Sequence, residues 1–269
     1  WTTSVVHWVM FIAMLVFCLK ANRFENYRKF LAFGRPAWLY LREILRIGLP
    51  NGFGLAAEVG MFAMVSLLMG TFGVTAIAGH QVAINIASVT FMLPMGLSIA
   101  ISIRVGQAKG RGDYVDTRYI GYAGIILSIL IMAVTASVFI LIPEKIVGLY
   151  SDDANVRTLA VQLLYMAAIF QLSDGMQVGA LGALRGLKDT RVPFVANVVA
   201  YWGVGLPLAY LVGVYYKVGP VGMWVGLIVG LSIAAVFHSL RFRILTRRLL
   251  SLPEHEKSAD NQILQLVTD

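Results

Sequence analysis

Two carboxylic acids stand where a carboxylic acid is costly. Glu58 and Asp174 fall inside stretches apolar enough to cross a bilayer, whereas the other twelve of the fourteen Asp and Glu residues lie in connecting segments, at helix edges or in the C-terminal tail. A carboxylate in hydrocarbon costs at least about 2.5 kcal/mol on insertion scales. Such a group needs a water-lined cavity, a bound cation or a proton. Cation or proton binding by Glu58 and Asp174 is therefore the first expectation about function.

Amides and aromatics surround these acids at helical spacing. Asn51 and Glu58, seven apart, share a face; Gln81, Asn85 and Ser88 follow one another at four and three; Gln171, Asp174 and Gln177 repeat at threes, with Gln162 further out; Asn197 and Tyr201 are four apart. These stripes predict a polar cavity between helices, although amides also serve as hydrogen-bonding glue between membrane helices. Phe62, Phe91, Phe170 and Tyr201 could offer low-specificity contacts to planar cations, or simply pack.

The elements that must position these residues are membrane helices. Of 269 residues, 58% are hydrophobic and only 13% charged, with mean hydropathy +0.76; soluble domains carry roughly 25% charged residues. The fold class is all-α, a polytopic membrane protein. Seven apolar stretches approach or exceed the span length of a helix: residues 1–19, 48–70, 75–103, 119–142, 156–184, 193–216 and 218–242. The expected organisation is one membrane helix over 1–19, a basic linker with an amphipathic segment over 20–46, a six-helix lobe over 47–245 and a polar tail over 246–269.

Loop charge orients the helices. Basic residues number 7 in the 20–46 linker, 4 between Arg104 and Arg118, 3 between Arg185 and Arg191, and 5 from Arg241 onward, against 3 (Lys145, Arg157, Lys217) in the intervening loops, which accounts for all 22. The positive-inside rule puts the linker and C terminus in the cytoplasm, and the inner membrane is the expected location. The net charge of +8 is then topological, and nucleic acid is not an expected partner. Glu58 and Asp174, ten and eleven residues from the cytoplasmic ends of oppositely directed spans, both reach roughly 15–17 Å above the inner boundary at 1.5 Å per residue. They arrive at one depth, near the midplane.

Other features have structural readings. Gly175, Gly179, Gly182 and Gly186 make two small-xxx-small pairs that allow close helix approach. Pro94 and Pro207 should kink their spans, whereas Pro50 and Pro193 are expected in first turns, where proline is tolerated. Asp152 and Asp153 are placed to cap the following helix. His80 reads as a packing histidine, and no histidine or the lone Cys18 has metal-ligand spacing. No phosphate-binding loop or nucleophile elbow is present. No cofactor is expected, nor enzymatic activity. The chain opens on Trp1 in an apolar run without a basic leader region, which reads as a start within a longer protein rather than a signal peptide.

Several segments, taken in order, resemble the multidrug and toxic compound extrusion (MATE) family, specifically the C-terminal half of its NorM-like branch. They are GLPNGFGLAAEV (48–59), AIAGHQVAINIAS (76–88), SIRVGQAKGRGD (102–113), QLSDGMQVGALGALRGLKDTRVP (171–193) and YWGVGLPLAY (201–210). The resemblance implies a secondary antiporter of two six-helix lobes, of which this chain supplies the last helix of the first, the linker and the second. It implies that Glu58 and Asp174 hold the coupling cation, Na⁺ or H⁺, that Gln81 lines the central cavity, and that Asp153 can face a cationic substrate from the outer side. The expected substrate cavity comprises Gln81, Asn85, Phe91, Phe170, Gln171, Asn197, Tyr201 and Asp153. Some relatives carry tyrosine where this chain has Phe91 and Phe170, so a phenolic contribution from those two positions is absent. Expected partners are organic cations, membrane lipid and the missing N-terminal lobe, the whole being a monomeric, alternating-access exporter.

Three alternatives compete. A lipid-linked oligosaccharide flippase would favour basic residues deep in the spans, an intramembrane aspartyl protease would need a paired dyad and the motif GxGD, and a scaffold or channel would lack alternating access.

Overall fold

The computed structural model describes residues 2–20 and 38–251, and these are helical almost throughout. The first helix, α1 (Thr2–Lys20), precedes six helices long and apolar enough to cross a membrane. These are α2 (Trp38–Met69), α3 (Val74–Gly110), α4 (Tyr114–Leu141), α6 (Ala154–Gly186), α7 (Arg191–Tyr215) and α8 (Pro220–Leu250), with a short α5 (Pro143–Gly148) between α4 and α6. Contact clustering separates residues 1–45 from residues 46–269, and the six spans form the body of the second unit. The polar tail beyond Ser251 and residues 21–37 of the expected linker lie outside the described residues.

α2 corrects two expectations. The amphipathic stretch after Pro36 is not separate from the span, because one helix runs from Trp38 to Met69. Pro50 therefore lies inside that helix rather than in its first turn. A mid-helix proline frees the carbonyl four residues earlier, here that of Arg46, which is exposed. Pro193 does occupy a first turn, three residues into α7. The structure caps α6 with Asp153, whose Oδ1 accepts from the Asn155 and Val156 amides at 2.8 and 3.2 Å. Asp113 caps α4 in the same manner, accepting from the Asp116 amide at 2.8 Å.

Close approach around α6 sets the architecture. Lipid chains are as apolar as leucine, so membrane helices associate through van der Waals contact and hydrogen bonds rather than through exclusion of water. The glycine pairs of α6 supply that contact on two sides. A Cβ at Gly175 or Gly179 would fall 2.8 or 2.9 Å from Ser128 of α4, and one at Gly182 or Gly186 would fall 2.5 or 2.7 Å from the carbonyls of Ser98 and Ser102 of α3. The Ser98 hydroxyl completes the second contact by donating to the Val178 carbonyl at 2.8 Å. α8 covers a third side of α6.

The α7–α8 seam is closer still. Gly226 faces the Ala209 backbone, Gly222 faces Gly213, and Gly230 faces Gly205. Along this seam α7 is not a uniform α-helix: it widens to π winding over Val199–Gly205 and again over Leu211–Tyr215, with α geometry between them around Pro207. The Tyr216 amide accordingly bonds the Leu211 carbonyl five residues back, at 2.9 Å. π turns are rare and mark strained or functional segments. α3, by contrast, runs unbroken through Pro94.

Gly226→Ala and Gly96→Ala separate this packing from helix propensity. At Gly226 a Cβ would meet the Ala209 amide nitrogen at 2.3 Å, whereas nothing lies within 4 Å at Gly96. Gly226→Ala should cost about 1–3 kcal/mol through overpacking, seen as a lower melting temperature in detergent. Gly96→Ala should be neutral or stabilising by up to ~1 kcal/mol.

Candidate cation site

Glu58 comes from α2 and Asp174 from α6, and both line one cavity of about 230 Å³. The cavity wall is otherwise mostly apolar, with Phe62, Phe91 and Phe170 on it and Ser88 from α3. Asp174 is 3% exposed, and Glu58 is half-buried. Each carboxyl is in electrostatic range of the other. Among the described residues no three His, Cys, Asp or Glu side chains cluster as metal ligands. Any monovalent cation held here would thus use two carboxylates and neutral oxygens, a hard donor set suited to an alkali ion.

The neutral donors stand behind the acids. The Gln177 amide donates to the Tyr201 hydroxyl in a fully buried contact. Gln177 is also within hydrogen-bonding reach of Glu58, and Tyr201 is in electrostatic range of both carboxyls. Phe91 and Phe170 on the cavity wall carry no hydroxyl, and a phenol in electrostatic range of the acids comes from α7 instead. Trp202, next to Tyr201, fixes α7 against α2 by donating from Nε1 to the Ala57 carbonyl at 3.0 Å, one residue before Glu58. Gly60 makes room for that indole, since a Cβ there would lie 3.1 Å from it.

The remaining candidates divide between core, cleft and surface. Gln171 is buried and donates to the Thr90 hydroxyl at 2.8 Å. Asn197 lines a second, narrower cleft of about 30 Å³ with Asn51, Glu58, Arg185 and Asp189. Gln81 and Asn85 lie on an exposed face of α3, where Asn85 accepts from the Tyr150 hydroxyl at 3.2 Å. Asp153, exposed, is the helix cap described above. His80 is a buried packing residue, hydrogen-bonded to Ser66 at 2.9 Å and edge-on to Trp224. The structure does not bring Gln81, Asn85 or Asp153 onto either cavity around the acids.

Arg185 is the residue that sequence reasoning missed. It was counted as a loop cation, yet it lines the cleft with Glu58 and lies within electrostatic range of that carboxyl. A signal was available: Gln177, Leu181 and Arg185 recur at four residues and so continue the Asp174 face toward the C-terminal end of α6.

Fold and interior together define a multi-pass helical membrane protein with acids at an internal cavity. The family model described as MatE matches residues 50–211. The chain is 44% identical over 247 residues to the probable multidrug resistance protein NorM of Xanthomonas campestris pv. campestris, covering 92% of this chain and 54% of that protein. It is 41% identical over 245 residues to the multidrug resistance protein NorM of Photobacterium profundum, covering 90% and 54%. Its fold matches the crystal structure of the eukaryotic MATE transporter AtDTX14 with a TM-score of 0.80 at 19% identity, covering 97% of this chain and 57% of that one. The chain belongs to the MatE family, and the resemblance read from its motifs to NorM-like proteins holds. It spans about half the length of the curated relatives it matches. Relatives and neighbours are transporters rather than enzymes, which removes the protease reading.

The cap at Asp153 can be told from any charge role at the same position. Asp153→Ala should lower stability by about 1 kcal/mol through loss of the cap, and Asp153→Asn, which caps equally well, should not. Thermal unfolding of both variants in detergent is the measurement.

Proposed function

We propose that this chain is the C-terminal lobe of a cation-coupled antiporter that exports cationic, amphipathic compounds by alternating access. The observation that carries this reading is the shared cavity: two carboxyls from different helices on a wall that also presents Phe62, Phe91 and Phe170. Carboxylates attract the coupling cation, Na⁺ or H⁺, and aromatic faces attract planar organic cations without demanding one shape. The relatives' names, multidrug resistance proteins, support a substrate class of this breadth.

The cycle follows from differential affinity. A monovalent cation arriving from outside binds at Glu58 and Asp174 and cancels one of their two negative charges. The carboxyls then attract a cationic solute less strongly, its affinity falls, and it leaves outward. When the coupling cation departs inward, the site regains net negative charge and can attract the next solute. A ligand shifts the two-state equilibrium only by its differential affinity for the two states, and charge neutralisation at one cavity supplies that difference. The partner that completes the substrate chamber is a preceding six-helix lobe, and the exposed Gln81 and Asn85 are on a face free to line it. Loop charge places the linker and C terminus in the cytoplasm. The assembled transporter acts as a monomer in the inner membrane.

Gradient-driven ethidium efflux by the complete transporter in proteoliposomes tests this. Glu58→Gln and Asp174→Asn should each reduce coupled efflux at least tenfold, under an imposed Na⁺ gradient or an imposed pH gradient, whichever drives wild type. Wild-type efflux in both variants would remove these acids from coupling. Counterflow of ethidium that ignores every gradient would instead favour a passive channel.

A further inference from the structure

Arg185 has no part in the cycle above, yet it occupies an unusual position. The narrow cleft and the large cavity share the Glu58 side chain, so this carboxyl stands at the junction between them. Glu58 and Arg185 face the cleft from different helices, α2 and α6, with Asp189 and Asn197 completing its polar wall. A cleft of about 30 Å³ holds no more than a water or two, whereas organic ligands occupy roughly 300–1,000 Å³. Its occupant is water, a small ion or a protein side chain.

The guanidinium is in electrostatic range of Glu58, and its Nε is not engaged. The two attract through space, yet the Arg185 Nε is buried with no hydrogen-bond partner. A buried donor left unpaired costs about 1–3 kcal/mol, more when charged. Asp189, the other acid on the cleft, is already held by Arg241 at 2.8 Å. Glu58 is therefore the cleft carboxyl that remains for Arg185 to approach.

We propose that Arg185 is the resident counter-charge of Glu58: when no coupling cation is bound, the guanidinium closes across the cleft onto the carboxylate, and an arriving cation displaces it. Counting Glu58, Asp174 and Arg185 together, the site carries one net negative charge when empty and none when one monovalent cation is bound. The empty state pairs one carboxylate with one guanidinium; the loaded state pairs that carboxylate with the coupling cation and returns the guanidinium to the cleft, beside the Asp189–Arg241 pair. The exchange removes the need to leave both carboxylates unpaired in the membrane interior, which is strongly unfavourable. It also weakens net cation binding by the stability of the internal pair, so that the ion can leave on the cytoplasmic side. A site used for transport must bind well enough to load and weakly enough to release.

This inference rests on Glu58 being a ligand of the coupling cation. The test uses the complete transporter in proteoliposomes and measures the cation concentration giving half-maximal ethidium efflux, together with the maximal rate. Arg185→Gln and Arg185→Met remove the competing charge; each should lower the half-saturating concentration tenfold or more and slow the maximal rate, because the ion now leaves slowly. Arg185→Lys keeps the charge and should stay within about threefold of wild type. In a Glu58→Gln background, Arg185→Gln should cause no further shift. Two neutral variants are used so that the reading survives if one fails to reach the membrane. Neutral variants with wild-type half-saturation, or a lysine variant that behaves like the neutral ones, would overturn the counter-charge role. Intact coupling in Glu58→Gln alone would instead overturn the transport reading beneath it.

Discussion

The exclusion of carboxylates from lipid is the constraint on which the rest of this lobe depends. Asp174 can exist within a membrane span only because α6 is enclosed by α3, α4 and α8, and that enclosure requires a helix with almost no side chain at its points of contact. The four glycines of α6 meet that requirement, each pair opening to a different neighbour. The acid and the glycines are thus one device: small residues bring the surrounding helices close, and closeness keeps lipid away from the charge. Glu58 is protected differently. α2 contributes it to the edge of a cavity, and its position is fixed by the Trp202 indole bonded to the preceding carbonyl.

Electrostatics and packing are therefore arranged in layers around the acids. Nearest are Gln177 and Tyr201, fully buried neutral groups that can orient oxygen or hydrogen toward a carboxyl. On one side lies the aromatic wall of the large cavity, and on the other the narrow polar cleft that leads past Arg185. A single glutamate belongs to both spaces. This geometry joins the large cavity to the narrow cleft through one side chain, without any long-range relay.

Much of this was legible in the sequence, for reasons that differ by feature. Hydropathy marks the spans because every backbone polar group in lipid must be bonded within its own helix. The common depth of Glu58 and Asp174 follows from loop charges and the fixed rise of a helix, and the structure places both on one cavity. The glycine pairs were readable as contact sites, but not the fact that Gly175–Gly179 serve α4 and Gly182–Gly186 serve α3; seven residues nearly repeat the same face, and only tertiary crossing decides which neighbour sits at each height. Pro50 misled because proline usually marks a helix start, while here the amphipathic lead-in continues the span. Arg185 was hidden by its own position, since a residue at a helix end counts equally as loop charge and as the last step of a buried stripe. Gln81 and Asn85 form a polar stripe as expected, but it faces outward from this lobe.

The π winding of α7 has a consequence for how this gene can vary. A π turn is an α turn that has accepted one extra residue, so Val199–Gly205 and Leu211–Tyr215 each carry chain length beyond what α geometry needs. Loss of one codon in the middle of an ordinary span rotates everything beyond it by about 100° and turns the buried face toward lipid. Within these two segments the same loss can be absorbed by tightening to α, leaving the faces on either side in register. α7 is thus where this membrane domain can best tolerate a change in length, and its first π segment carries Tyr201, which is in electrostatic range of both acids.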